Sequence, residues 1–223
     1  MRLEIKIPYN INSFLKIQKN LNSIKNLKKQ YPSRRINSIY FDNFDNQIAR
    51  DNLSGISRRC KLRIRYYGND GTSNCFLEIK KKLNKFGFKK VIDMKKKIND
   101  LKFEEVFKLN NNLHKEIIRD DYAKDYILND YLSPQVEVSY LRDYYISNKI
   151  RLTHDKEIIF KPCNIENKST INIAKDYLNV LEIKFDYSNI ADVNEIMNKI
   201  DIKPKRFSKY LRGLSFFNKS IYL

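Results

Sequence analysis

The sequence predicts an antiparallel α+β domain in which about eight strands form a closed β-barrel with flanking helices. Three observations lead there. Short segments with period-two alternation recur along the whole chain, and the turn signal Gly68-Asn69-Asp70-Gly71 joins two of them directly. Segments with apolar residues at three- and four-residue spacing stand before, between and after the strands. The 223 residues, 42% of them hydrophobic, can bury one sizeable core, and no linker, repeat or low-complexity tract divides them, so residues 1–223 are read as a single domain.

The elements follow in order. Leu3-Glu4-Ile5-Lys6-Ile7 alternates cleanly and ends at Pro8. Asn12 or Ser13 then caps a helix whose stripe is Phe14, Ile17, Leu21, Ile24 and Leu27, and Pro32 closes that unit. Residues 36–41 form a second strand, followed by an irregular polar stretch up to Gly55. Residues 58–67 and 76–82 pair as a hairpin, and 88–95 add another strand. Residues 100–132 lose alternation and read as helical, with Phe103, Val106, Phe107, Ile117, Ile118, Tyr122 and Tyr126 as packing positions. Strands return at 135–146, 151–153, 157–161 and 179–187, and a last helix at 193–200 precedes the segment 204–213.

Charge narrows the function. Forty-four Lys and Arg against 26 Asp and Glu leave a net charge of +18, which calls for a polyanionic partner: nucleic acid, a phosphate chain or an anionic membrane. Five glycines, none spaced as a dinucleotide or P-loop fingerprint, mean that any phosphate is held by Lys and Arg side chains. Cys60, Cys75 and Cys163 form no C-x-x-C pair, and His114 and His154 have no partner at ligand or triad spacing, so all five read as packing or surface residues. Apolar runs fall well short of the roughly 18 residues that span a bilayer. The expected location is the cytoplasm, with peripheral attachment to a membrane as a variant. Much of the lysine excess fits genome base composition, which makes the arginines the more informative cations. The lysine runs 25–29 and 95–97 read as solvated faces, the second also able to meet an anionic membrane or a product chain.

Period two sorts the strand faces. Arg59, Lys61, Arg63 and Arg65 share one face, with Cys60, Leu62 and Ile64 on the other. Glu78, Lys80 and Lys82 oppose Leu77 and Ile79; Val180, Glu182 and Lys184 oppose Leu181, Ile183 and Phe185; Glu4 and Lys6 oppose Leu3, Ile5 and Ile7. A glutamate and a lysine two residues apart thus recur on three strands. Such faces can simply meet water. A face made largely of cations repels itself, by about 4 kcal/mol per pair at 4 Å and an effective dielectric of 20, unless an anion occupies it. Turned inward in a closed sheet, these faces would line a basic lumen whose glutamates could hold a hard divalent ion.

The ordered segments Ile36-Asn37-Ser38-Ile39-Tyr40-Phe41-Asp42-Asn43, Lys61-Leu62-Arg63-Ile64-Arg65-Tyr66-Tyr67-Gly68, Leu77-Glu78-Ile79-Lys80, Tyr140-Leu141-Arg142-Asp143-Tyr144, Arg151-Leu152-Thr153-His154-Asp155, Leu181-Glu182-Ile183-Lys184 and Arg206-Phe207-Ser208-Lys209-Tyr210 resemble those of the VTC domain. This is the polyphosphate polymerase domain of the CYTH-like triphosphate tunnel metalloenzyme superfamily. The resemblance implies the tunnel fold and transfer of the terminal phosphoryl of ATP to a growing polyphosphate chain, with Mn²⁺ or Mg²⁺. It implies phosphate-gripping roles for Arg63, Arg65, Lys80, Arg142, Arg151 and Lys209. It further implies substrate contacts for Lys6, Lys184, Arg206 and Lys90, with Lys89 as the other reading of that strand, and a metal-binding role for Glu182. Arg50 is the open candidate for a further arginine position. Glu4-x-Lys6 lacks the second upstream glutamate of the superfamily's hydrolytic branch, and Ile7 stands where the family usually has an aromatic residue.

Phosphoryl transfer suits this residue set, because it needs in-line positioning and charge neutralisation rather than a side-chain nucleophile. The expected partners are therefore ATP and polyphosphate, with a membrane-associated protein as a further one. The alternatives are a triphosphatase and a non-catalytic polyphosphate or inositol-phosphate binding module. Nucleic-acid binding is not expected, since no recognition-helix, RRM or KH motif accompanies the 15 Tyr and 13 Phe.

Overall fold

The computed structural model describes residues 2–84, 86–102, 119, 124, 132–163 and 173–217. Nine strands are seen: β1 (Arg2–Asn10), β2 (Lys28–Asp42), β3 (Arg58–Tyr67), β4 (Asn74–Leu83), β5 (Phe86–Lys97), β6 (Ser133–Ser147), β7 (Ile150–Pro162), β8 (Ala174–Lys175) and β9 (Leu178–Asp186). Among the described residues the α-helices are α1 (Phe14–Asn22), α2 (Gln47–Ser54), α3 (Ile190–Ile200) and α4 (Lys209–Phe217). The strands form one sheet in the order β1-β9-β7-β6-β2-β3-β4-β5, with β8 beside β7, so among the described residues β1 and β5 are the ends of the path. The antiparallel α+β class expected from the alternation is observed.

The chain forms two compact units. The first comprises residues 1–35, 139–159 and 175–208. Its core is built from the apolar faces of β1, β7 and β9 (Ile7, Leu152, Leu181, Ile183) packed with Ile17 and Leu21 of α1 and Val193, Ile196 and Ile200 of α3. Each such aliphatic side chain contributes about 1.5–3 kcal/mol on burial. Helices therefore cover the apolar face of these strands, and the charged face lies opposite, as the alternation predicts.

The second unit comprises residues 36–138, 160–174 and 209–223. Leu62, Ile64, Leu77 and Ile79 of β3 and β4 are fully buried there, as is Ile48 of α2. Helix α4 approaches β6 and β7 closely at Gly213, where an added Cβ would come within 2.9 Å of Phe160 and 3.1 Å of Val136. The β3–β4 turn uses Gly68 and Gly71, both at positive φ.

Several elements differ from expectation for physical reasons. Strand β2 starts at Lys28 and passes through Pro32 because that end is exposed, where a missing N–H strands no buried partner. Strand β7 joins the two short strands expected at 151–153 and 157–161; between them the buried His154 and Asp155 break the apolar pattern. The polar stretch before Gly55 contains α2, a short helix whose first N–H, of Gln47, donates to Asn43 Oδ1 at 2.8 Å and whose next two, of Ile48 and Ala49, donate to the Asp42 carboxylate at 2.9 and 2.8 Å. The segment 204–213 ends in α4. The helical reading of residues 100–132, with Phe103, Val106, Phe107, Ile117, Ile118, Tyr122 and Tyr126, and with it His114, lies outside the described residues.

Candidate functional site

In the second unit, antiparallel register sorts the charges of three strands onto one face. Arg59, Lys61 and Arg63 of β3 stand opposite Lys82, Lys80 and Glu78 of β4. Tyr40 and Ser38 of β2 stand opposite Arg63 and Arg65. Across β4, Lys89 of β5 stands opposite Lys80.

Glu78 organises this face. Only 3% exposed, it accepts from Arg63 Nε at 2.8 Å and Nη2 at 2.5 Å, from Lys89 Nζ at 3.2 Å, and lies 3.6 Å from Arg65 Nη1. Burial alone would raise its carboxyl pKa; the Arg63 and Arg65 charges overcome that and hold it at about 2. One carboxylate is thus set among three cations.

The same arginines reach an aromatic wall. Arg63 Nη1 donates to Tyr40 Oη at 2.8 Å, and Arg65 Nε to Ser38 Oγ at 3.3 Å. Burial pushes the Tyr40 phenol up, but Arg63, Arg65 and Lys209 pull it below its ordinary value. Tyr40 stacks on Tyr210 at 4.9 Å between centroids, and Tyr210 Oη donates to Asp42 Oδ2 at 2.5 Å. Burial raises the Asp42 carboxyl, although Tyr210 and the backbone N–H groups of Ile48, Ala49 and Asn43 work against that. The stack and the carboxylate together fix the start of α4, where Lys209 stands.

In the first unit the repeated glutamate-x-lysine pairs with itself in antiparallel register. Glu4 of β1 faces Lys184 of β9 and Lys6 faces Glu182, so each carboxylate stands opposite an ammonium. Lys184 Nζ is 2.5 Å from Glu182 and 3.9 Å from Glu4, and Lys6 Nζ is 3.2 Å from Glu4. Lys6 also donates to the Phe207 carbonyl at 3.2 Å, and its own carbonyl accepts from Lys205 N at 3.0 Å, which ties the segment carrying Arg206 to β1. On β7, Arg151 stands opposite Lys184 and Thr153 opposite Glu182. Arg142 of β6 is clamped by two bonds to fully buried Asp155, at 2.6 and 2.7 Å. Burial alone would lower the Arg142 pKa, but the Asp155 charge raises it, so the guanidinium is fixed as a cation.

The expected residues are thus placed as follows. Arg63, Arg65 and Lys80 share the charged face of the second unit, with Lys209 at the start of α4; Lys6, Arg142, Arg151, Glu182 and Lys184 are gathered on strands of the first, and Arg206 is exposed on the tied segment. Lys90 and Lys89, the two readings of β5, take opposite faces. Lys90 stands opposite Ile79, on the apolar side, whereas Lys89 is the lysine on the Glu78 face. Arg50 lies exposed on α2 and donates to Gln47 at 3.3 Å. Sequence reasoning gave no functional role to Asp155, Thr153 or Tyr40, and gave Glu78 only the general part of a lumen glutamate. The glutamate-x-lysine repeat was a usable signal for Glu78, while nothing in the sequence marks Asp155.

A divalent ion can be tested against the donors present. Glu182 and Glu4 supply hard oxygens on neighbouring strands, and the buried Thr153 Oγ1, cross-strand from Glu182, has no hydrogen-bond partner. That orphaned hydroxyl fits a polar ligand beside Glu182. Among the described residues no cluster of three acidic, His or Cys side chains occurs, so an ion here would take much of its shell from phosphate and water.

The remaining titratable groups are structural. Burial pushes the unpaired thiols of Cys75 and Cys163 up to about 11 and 12. His154 is fully buried beside Phe14, with Nε2 2.5 Å from Tyr9 Oη, and burial lowers its pKa to about 4. Among the described residues no helix is long and apolar enough to cross a membrane.

Comparison with known proteins bears on the fold and the family. The structure is similar to a Hippeastrum protein named as an adenylyl cyclase with a dominant triphosphatase activity, at TM-score 0.56 and 12% identity over 97% of this chain and 96% of that one. It is also similar to a conserved hypothetical protein of Pyrococcus furiosus (TM-score 0.52, 13% identity, 94% and 99% covered) and to one from Vibrio parahaemolyticus named as an adenylate cyclase (0.50, 9%, 96% and 98%). No curated protein matches the sequence. At these identities the likeness shows a shared fold and nothing more, but the VTC domain model matches residues 4–218, so the chain belongs to the VTC domain family.

Proposed function

We propose that this chain is a polyphosphate polymerase that transfers the γ-phosphoryl of ATP to the end of an inorganic polyphosphate chain. The observation that carries the reading is the convergence of Arg63, Arg65 and Lys89 on the buried Glu78 carboxylate, which gathers oriented cationic donors on one strand face where a phosphate chain could use them. A terminal phosphate oxygen of the acceptor attacks the γ-phosphorus, the bond to the β–γ bridging oxygen breaks, and ADP leaves. That acceptor is already ionised, so no side-chain base is required. Arg63 and Arg65 grip phosphates with oriented N–H forks; Lys80, Lys209, Arg142 and Arg151 add charge along the nucleotide and chain. Lys6, Lys184, Arg206 and Lys89 contact substrate at the periphery. Glu182 would hold a divalent ion, Mn²⁺ or Mg²⁺, which when bound supplies further neutralisation of phosphate charge.

A second reading, a tunnel triphosphatase, is favoured by the pairing of Glu4 with Glu182 around Lys184, two carboxylates on adjacent strands. The two readings separate cleanly. Incubation of the chain with ATP and Mn²⁺, with and without a pyrophosphate primer, is expected to yield long chains on a polyphosphate gel. Release of free phosphate without chain growth supports the triphosphatase, and tight polyphosphate binding with no turnover in any metal supports a binding module.

A further inference from the structure

The β4–β5 hairpin carries a patch that phosphoryl transfer does not use. Register puts Leu83 opposite Phe86 and Lys81 opposite Phe88, on the face away from Glu78. Phe86 and Phe88 are 53% and 56% exposed, and Leu83 is exposed with them. The Asn84 N–H donates to the Ser57 carbonyl at 2.9 Å, which brings exposed Ile56 beside the same tip. No carboxylate occurs in residues 52–63 or 81–92, whereas cations are dense in both stretches.

We propose that this tip docks on an anionic lipid bilayer. Two requirements are met together: aromatic and aliphatic side chains that gain from leaving water at the headgroup boundary, and a cationic rim for acidic headgroups. A polyphosphate chain would use the lysines but leave Leu83, Ile56 and both phenylalanines in water. A nucleic acid could stack on the phenylalanines but gains nothing from the aliphatic pair. The bilayer uses both, and because the patch faces away from Glu78, docking leaves the Arg63 and Arg65 face clear.

The test is sedimentation of the full chain with phosphatidylcholine vesicles with and without phosphatidylserine. Binding is expected only to the mixed vesicles, weakening as salt rises, and falling about tenfold in Phe86→Ser/Phe88→Ser with an unchanged thermal melt. The chain has no tryptophan, so Phe88→Trp places a single fluorophore at the tip. Its emission is expected to shift to the blue with mixed vesicles and not with neutral ones. Failure to bind mixed vesicles, equal binding by the serine variant, or an unshifted indole emission from Phe88→Trp would overturn the proposal. So would concentration-dependent self-association that the serine variant abolishes, since a second copy would then be the occupant.

Discussion

The charged faces of the two units are built from the same alternating strands but balanced differently. In the second unit Arg63, Arg65 and Lys89 converge on Glu78; in the first, Glu4, Glu182 and Asp155 are interleaved with Lys6, Lys184 and Arg142. Ion pairs in which carboxylates and cations alternate leave less charge for an anion than a cluster in which three cations meet one carboxylate. On the proposed function, the second unit's cations would supply the phosphate grip, and Glu4 and Glu182 of the first are its hard-oxygen donors.

The sharpest way to break this comparison is to remove one arginine from the face around Glu78. Arg65→Ala is expected to lower ATP turnover by about 10²–10³-fold, because a preoriented donor to a phosphoryl group is lost. A drop below about tenfold in steady-state kinetics would place the grip elsewhere. Next is Asp155→Asn, which leaves the buried Arg142 without its counter-ion and should cost about 3 kcal/mol in denaturant melts. Glu182→Gln should raise the metal concentration needed for half-maximal activity by about 10–100-fold while leaving the fold intact, and an unchanged metal requirement would move the ion to other donors.

Glu78→Gln is the mildest and the most diagnostic. Arg65 is buried but Arg63 and Lys89 reach solvent, so the expected loss is about 1–2 kcal/mol at neutral pH. Its folded pKa, about 2, lies below the ordinary 4.5, so its contribution is complete above pH 4.5 and is lost as pH falls toward 2. The gap between wild type and Glu78→Gln should therefore narrow below pH 4.5. His154 acts in the same direction at higher pH: folding holds it neutral to about 4 against an ordinary 6.5, so it removes stability as pH falls from 6.5 to 4. Tripolyphosphate should raise the melting temperature of Glu78→Gln more than that of wild type, because the added anion replaces a missing carboxylate.

Legibility in the sequence follows the range of the interactions. Alternation is local, and it identified the strands and the face of Arg63, Arg65, Glu78 and Lys80. The preference for Lys90 over Lys89 came from the family resemblance, and period two within β5 cannot check it, since only the cross-strand register, with Lys89 opposite Lys80, says which parity meets Glu78. The Arg142–Asp155 clamp and the Tyr40–Tyr210–Asp42 chain were illegible for the same reason, since their members are brought together by pairing and helix packing between distant segments. Helix α2 was missed because its start depends on a carboxylate outside the helix, that of Asp42.

The most direct test of polymerase activity follows the labelled phosphoryl group. With ATP carrying ³²P at the γ-position, Mn²⁺ and a pyrophosphate primer, the label is expected to accumulate in long polyphosphate, and Arg65→Ala to abolish this transfer. Label appearing only as free phosphate, or in chains made equally well by Arg65→Ala, would contradict a polymerase built on the Arg63 and Arg65 face.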